Sequence, residues 1–423
     1  MSPARTHAYP ADLVRFASHR WPAGATTDDA LLTEVVAVAY HASFLRDEDR
    51  PVLFRLIFTG PGKMPANDTS TEGLHVLKFA SPRPFDEQEI RRLSQGAPYD
   101  RALIGVCKHE DTLVIWGIVH TGTRWLQSAS GARAPDHALP DCVVLRVARP
   151  GHVALSWGEA PVAELRQGDL GDSRVDVFAS DWLPARFADV RAEIADIVAR
   201  DAKLAESVDL EVIRLIGQQL IRRTIAMIRA AHHGGTLLVV PPECATSMVD
   251  ERFVRLKYPF ADKPARSRYR QLLMPMLREI APLSLPGQKA GPSEYFRALS
   301  TSARTSDDAM FELAQFIASL AAVDGAVVLS KRFEIMGFGG EIAGDLTTVP
   351  VVRRSLDLEG TRFEEEVVDR VGTRHRSAYR LCNRFHTALA VVVSQDGSVR
   401  FITWHQGAVT YWDHASLGLS ESA

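Results

Sequence analysis

Two short segments in the C-terminal part of the chain carry residue types that handle phosphate and metal ions. Asp324-Gly325-Ala326 stands where a helical pattern gives way to the apolar run Val327-Val328-Leu329. An acid at a strand edge offers carboxylate oxygens to a hard cation, and a following residue without a Cβ lets a bulky ligand approach the backbone. Gly372-Thr373-Arg374-His375-Arg376 opens an amphipathic helix in which Ala378, Leu381, Cys382 and Phe385 share the inward face. Guanidinium forks, a hydroxyl, exposed N–H groups and the positive end of a helix dipole are together what polyphosphate binding requires. Basic residues in a first turn oppose the dipole, so this turn calls for an anionic partner. Between the two segments lies Gly337-Phe338-Gly339-Gly340. Taken singly the signals are weak, because Asp-Gly is a common turn dipeptide and glycine clusters make turns or bulges more often than phosphate cradles.

The surrounding pattern supplies elements to hold these segments. A helix is predicted over 210–231 from Ile213, Ile216, Leu220, Ile221, Thr224 and Ile228, with His232-His233-Gly234-Gly235 as its stop. Residues 236–240 are then a fully buried strand by their continuous β-forming run. Another helix begins at about Ser306, taken as its N-cap, and runs through Phe311, Ala314, Ile317 and Leu320 into the Asp-Gly segment. Lys331-Arg332-Phe333 makes a hairpin turn. After the arginine-rich helix come strands over 388–394 and 399–404 about an Asp396-Gly397 turn.

Earlier in the chain the period is two rather than 3.6. Helices over 11–19 and 31–45 precede short β segments over 51–58, 74–79, 102–107, 112–120, 142–147 and 153–157. Trp21, Trp116, Trp125, Trp157 and Trp182 fall in this region; an aromatic cluster can stack a base, but filling the core of a small sheet is the simpler role. The pattern changes near Trp182-Leu183-Pro184, where Phe187, Val190, Ile194 and Val198 begin a helical stripe. The chain therefore reads as an α/β (α+β) protein with an N-terminal α/β regulatory domain over 1–185 and, over 186–423, a nucleotide-binding domain whose mixed central sheet is flanked by helices. A basic segment over 251–279 (Arg252, Arg255, Lys257, Lys263, Arg266, Arg268, Arg270, Arg278) reads as a solvated face, with phosphate contact as the alternative.

In their order and context the two motifs, DGA at 324–326 and GTRHR at 372–376, resemble those of the diadenylate cyclase (DAC) domain family over residues 205–413. The preceding part is similar to the DACNV-type sensor region of bacterial proteins. The resemblance implies a cytoplasmic nucleotidyltransferase that condenses two ATP into cyclic di-AMP and two pyrophosphates with Mg²⁺ or Mn²⁺, regulated by its N-terminal domain. It implies a homo-oligomer with DAC domains face to face, each holding one ATP. Asp324 would bind the metal, Arg374 and Arg376 would neutralise phosphate charge, and Thr373 would hold phosphate oxygens. His375 would touch phosphate or metal, while Gly325, Ala326, Gly339, Gly340, Gly372 and Ser394 would line the nucleotide. Three features depart from the family: a charged run around 353–370 with Glu364-Glu365-Glu366, read as a lid or a solvated insertion, Gln395 where several cyclases carry an acid, and the basic insertion after Val240. These features and the sensor-type architecture suggest an alternative, an inactive nucleotide-binding sensor that keeps the pocket.

Composition narrows the field. At ~150 residues per domain, 423 residues predict two or three domains. With 46% hydrophobic and 24% charged residues the chain is globular rather than disordered. A formal net charge of −3 gives no strong nucleic-acid signal. No apolar run approaches the ~18 residues of a membrane span, and the first residues lack a secretory pattern, so no membrane association is expected and the cytoplasm is the default. Cys107, Cys142, Cys244 and Cys382 lie far apart without a CxxC pair, arguing against a zinc ribbon or a disulfide framework. No GxSxG, HExxH or GxxxxGK[ST] pattern supports a hydrolase or a histidine metal site.

Overall fold

The computed structural model describes residues 7–65, 74–99, 101–121, 139–166, 168–171, 176–231, 233–244, 253–261, 263–299, 301–342, 346–368, 371–395 and 397–414. Trp125, His232, Arg252 and Asp396 lie outside the described residues, as does the side chain of Lys263. The chain divides into two units, one built on Met1–Arg174 and the other on Val175–Ser416. The division falls ahead of Trp182-Leu183-Pro184, and the reason is packing. Val177, Phe178, Trp182 and Leu183 are buried in the core of the second unit. Trp182 stacks on Trp412 with ring centroids 4.3 Å apart, and both indole N–H groups donate to the Leu358 carbonyl, at 2.9 and 3.0 Å.

In the first unit, helices α1 (Pro10–Ser18), α2 (Asp29–Ala42) and α3 (Glu87–Gly96) cover one face of an eight-stranded sheet. Its strands are β3 (Phe54–Phe58), β4 (His75–Pro84), β5 (Ala102–His109), β6 (Thr112–His120), β7 (Val143–Arg149), β8 (His152–Trp157), β9 (Ala160–Arg166) and β10 (Asp169–Gly171), in the order β10-β9-β8-β7-β3-β5-β6-β4. A two-residue ladder, β1 (Arg46–Asp47) with β2 (Arg50–Pro51), precedes it. Alternation decides the faces: Leu56, Ile104 and Leu145 point to the helices, whereas Ile57, Leu103, Val144 and Trp116 form a smaller cluster on the other side. Trp116 is buried with its Nε1 donating to the Thr59 carbonyl at 2.8 Å, and Trp21 packs on Trp157 at 5.7 Å. These rings fill the unit's interior rather than presenting a stacking platform.

The second unit begins with α4 (Trp182–Ala185), α5 (Ala188–Ala199), α6 (Ala202–Ser207) and the long α7 (Leu210–Ala230). Then come β11 (Gly235–Val240), β12 (Val254–Pro259), α8 (Lys263–Arg266), α9 (Arg268–Ile280), α10 (Pro292–Leu299) and α11 (Arg304–Leu320). Strands β13 (Ala326–Ser330), β14 (Ile335–Ile342), β15 (Val351–Ser355) and β16 (Phe363–Val367) precede α12 (Thr373–Arg384). Last are β17 (Leu389–Val393), β18 (Val399–His405) and β19 (Ala408–His414). The nine strands form one mixed sheet, β12-β14-β13-β11-β17-β18-β19-β15-β16, parallel only at β11–β13 and β15–β19. Helices cover both faces. Leu237, Val239, Val327, Leu329 and Val391 pack with α7, α9 and α11, whereas Leu238, Val240, Val328, Ala390 and Val392 pack with Ala378, Tyr379, Leu381 and Cys382 of α12. Burial on both faces explains why β11 reads as an unbroken apolar run.

The structure refines three expectations. Ser306 is no N-cap: α11 starts at Arg304 behind Ala303, and Ser306 is buried inside the first turns. Gly337-Phe338-Gly339-Gly340 lies within β14, between β12 and β13, and the register against β13 shifts across it, the bulge that such a glycine cluster favours. The charged run around 353–370 holds the β15–β16 hairpin, with Arg353 opposite Glu365 and Arg354 opposite Glu364, and Glu364 and Glu365 are solvent-exposed, so the run is solvated but regular. Opposite charges across a ladder support the pairing, and the Tyr411 hydroxyl donates to the Glu366 carboxylate from the neighbouring strand.

Candidate functional site

The register of four adjacent strands gathers the two motifs. Ala326 at the start of β13 pairs with Thr236 of β11 on one side and Gly340 of β14 on the other, while Gly235 pairs with Val393 at the end of β17. The residues just beyond these pairs, Asp324-Gly325, His233-Gly234 and Ser394-Gln395, therefore emerge at the same end of the sheet. With strands ~4.8 Å apart, Asp324 and Ser394 stand roughly 10 Å from each other across it.

Asp324 is exposed in the turn after α11. Gly325 has φ +118°, and a Cβ there would sit 2.6 Å from the Gly339 carbonyl carbon and 2.9 Å from the Gly340 nitrogen. Only glycine satisfies both the dihedral and the close passage of β14. Gly339, with φ +63°, lies under the stem of Lys257 on β12. The Lys257 ammonium pairs with Glu341 at 2.9 Å. That hydrogen bond and the Glu341 charge, followed by a smaller contribution from Asp324, raise the lysine pKa. Lys257 thus brings a cation to the carboxylate side of the site.

On the other side Gly372 is the N-cap of α12, exposed, with φ −63° and ψ 161° and no atom within 4 Å of an added Cβ. Thr373 and Arg376 are exposed on the first turn. Arg374 reaches across the ends of β11 and β17: its Nη1 donates to the His233 carbonyl at 3.4 Å and lies 2.8 Å from where a Gly234 Cβ would be. The Val393 carbonyl oxygen is equally near that point, so Gly234, with φ +67°, is what lets the guanidinium lie flat there. Ser394 is half-buried in the turn, where its N–H donates to the Ser398 carbonyl at 2.9 Å.

The structure thus brings Asp324, Gly325, Ala326, Gly339, Gly340, Gly372, Thr373, Arg374 and Ser394 to one edge, with Arg376 exposed beside them. His375 differs: it is half-buried and turned along the helix toward Tyr379, at 6.3 Å between rings, while Tyr379 packs on Tyr411. Four contributors escaped the sequence reading. Lys257 and Glu341 meet only through the β12–β14 pairing, and His233 and Gly234 read simply as a helix stop, although the paired glycines were the available signal.

Among the described residues no group of three or more His, Cys, Asp and Glu side chains could hold a metal ion. Glu341 is engaged by Lys257, leaving Asp324 as the exposed carboxylate. Mg²⁺ is commonly held by one or two carboxylates with substrate phosphates and water. This donor set therefore fits a divalent cation carried in with a polyphosphate, and does not make an all-protein metal cage.

Residues 22–120, reaching from ahead of α2 through β6, match the family described as "Probable sensor domain DACNV". No curated protein matches the chain. Nor does any solved structure. The chain thus carries a sensor-type segment in its first unit, and among the described residues no helix is long and apolar enough to cross a membrane.

Proposed function

We propose that the second unit binds ATP and, paired face to face with a second copy, condenses two ATP into cyclic di-AMP. The observation that carries this reading is the convergence of Asp324-Gly325 and the Arg374 turn at one end of β14-β13-β11-β17, from opposite sides of a shallow, glycine-lined edge. Arg374 and Arg376 take the phosphate charge, while the Thr373 hydroxyl and backbone N–H groups at the start of α12 hold phosphate oxygens. Gly325, Ala326 and Gly340 keep side chains out of the nucleotide's path, and Ser394 bounds it on the far strand. Asp324 would hold a Mg²⁺ or Mn²⁺ ion, whose charge would lower the pKa of the attacking hydroxyl and screen the phosphates. In the reaction the 3′-hydroxyl of one ATP forms a bond to the α-phosphorus of the other, the bond to pyrophosphate breaks, and the exchange is repeated in the opposite sense. Neither copy completes the ring alone, so the active species is a homo-oligomer.

The test is incubation of the full chain with ATP and Mn²⁺ or Mg²⁺, following cyclic di-AMP by mass spectrometry beside Asp324→Asn. The expected loss in that variant is hundredfold or more, about 3 kcal/mol of transition-state stabilisation. A variant that is folded and still turns over removes Asp324 from the metal-binding role.

The second reading, a nucleotide sensor without turnover, draws on the sensor-domain match in the first unit and on Gln395 at the site. It predicts saturable ATP binding with no product from the wild type.

A further inference from the structure

The nucleotide reading uses the first turn of α12 and leaves the rest of its outer face unexplained. With about 3.6 residues to the turn, Ala378, Tyr379, Leu381 and Cys382 fall on the buried side of the helix. Arg376, Arg380 and Arg384, spaced four apart, form a stripe along the opposite side. The helix contains no Asp or Glu. Like charges four residues apart repel, and nothing within the helix offsets them.

Elsewhere in this unit arginines find acids: Arg354 and Arg400 share Asp413, and Arg332 binds Glu193. Arg376 and Arg380 have no hydrogen-bond or ion-pair partner among the described residues. The chain as a whole carries a formal net charge of −3, so attraction for an anion is local to this stripe.

The stripe ends among aromatic rings. The Arg384 guanidinium lies 5.2 Å from the ring centres of both Phe253 and Phe385, which meet edge to face at 5.2 Å. Two residues beyond the end of the helix, the His386 imidazole lies flat on Trp404, with centroids 3.9 Å apart and planes 4° from parallel. His386 is exposed, and Phe253, Phe385 and Trp404 are half-buried. Flat groups so placed can take a further ring by stacking.

We infer that the outer face of α12 binds a single-stranded nucleic acid, its phosphates along Arg376, Arg380 and Arg384 and a base stacked at the His386–Trp404 step. The arginines rise ~6 Å from one to the next and ~12 Å over the stripe, which successive phosphates of an extended strand can follow. A cationic track with stacking rings is how proteins hold single strands without regard to sequence. A mononucleotide is too short to reach both the first arginine and the rings, and a duplex keeps its bases paired. Only Arg376 is shared with the ATP reading, so the inference does not depend on turnover.

The experiment is fluorescence anisotropy of the full chain with a labelled oligothymidylate of about twelve nucleotides, between about 50 and 200 mM salt. Three phosphate contacts predict a log–log salt slope of about −2, and Arg380→Gln/Arg384→Gln should reduce its size by roughly 1.4. His386→Ala should weaken oligothymidylate binding at least about fivefold, the worth of one stacked base, while leaving inorganic polyphosphate binding unchanged. ATP affinity of the double arginine variant should stay within about twofold of the wild type, because neither residue belongs to the nucleotide edge. Circular dichroism checks that the variants fold; should either fail, the wild-type preference for oligothymidylate over a duplex and over polyphosphate of like length decides alone. No binding at about 50 mM salt, equal affinity for those competitors, or an unchanged salt slope in the double variant overturns the inference. So does an equal fall in ATP affinity, which would make the stripe a part of the nucleotide edge.

Discussion

Substituting the glycine of each motif by alanine should produce opposite results, and the structure sets the size of the difference. In Gly325→Ala the backbone must hold an L-residue at φ +118°, a strain of ~1–3 kcal/mol. The new methyl meets Gly339 and Gly340 backbone atoms at 2.6 and 2.9 Å, closer than carbon atoms approach in folded proteins. Neither neighbour has a side chain that can swing aside, so β14 must shift against β13 and β12, adding an overpacking term of ~1–3 kcal/mol. The total is about 2–6 kcal/mol. Gly372→Ala meets no atom within 4 Å and has an ordinary extended φ and ψ, so only the weaker N-cap preference of alanine remains, below about 1 kcal/mol. Urea unfolding of the full chain would measure both, with Trp182 and Trp412 reporting on the second unit and each unit's transition fitted by itself. Equal losses in the two variants, or a loss under about 1 kcal/mol for Gly325→Ala, would refute the argument that β14 passes over Gly325 at the distance required.

Further outcomes follow from single groups. Arg374→Gln should weaken ATP binding about tenfold or more while leaving the Tm of the second unit nearly unchanged, since its one described hydrogen bond, to the His233 carbonyl, is a long one; a large Tm drop at unaltered affinity would make Arg374 structural. Trp182→Ala should destabilise the second unit by about 3 kcal/mol or more, measured by urea unfolding, because it empties a stacked, buried position. His414 is buried, accepts the Val177 N–H at 3.2 Å through Nδ1, and has its pKa lowered from 6.5 to about 3, by burial first and by Arg222 and Arg229 besides, against the opposing pull of Asp176. The unfolded chain takes up this proton below pH 6.5 and the folded chain does not, so stability contributed above that pH is lost as pH falls toward 3, with a slope approaching ~1.4 kcal/mol per pH unit. His414→Asn should flatten that acid limb in a pH series of unfolding curves.

Much of this architecture was legible because its strands are so distinctive. β6 was read at its observed limits, α7 to within a residue, and β11 as a fully buried strand, since continuous Val and Leu in a short run have few other uses. α12 was legible from its inward stripe and its glycine start, and with it the positions of Arg374 and Arg376. What escaped was set by partners distant in the chain. Trp182 looked like the end of the first domain because its neighbours were apolar strands, yet its stacking partner is Trp412. The Glu364-Glu365-Glu366 run is solvated, as three acids in a row suit water, but its being a strand depends on the arginines of β15 opposite. Lys257 stood in a segment whose excess of charge concealed that one of its cations lies over Gly339. Gly234 both ends a helix and makes room for the Arg374 guanidinium, and nothing local told it from an ordinary terminator.

The strand order has a consequence for how the second unit comes into being. Its parallel β11–β13 pair joins segments separated by β12 and four helices, and β11 finds its other neighbour, β17, only after β16 and α12 have been laid down. Pairings so remote in the chain form late, since loop closure must precede any reward from contact. Each half of the proposed nucleotide edge thus waits on the same central strand, and a growing polypeptide has no such edge until β17 has emerged and docked. Affinity for ATP would then serve as a gauge of completed folding, rising in refolding experiments with the last phase rather than with the appearance of helix.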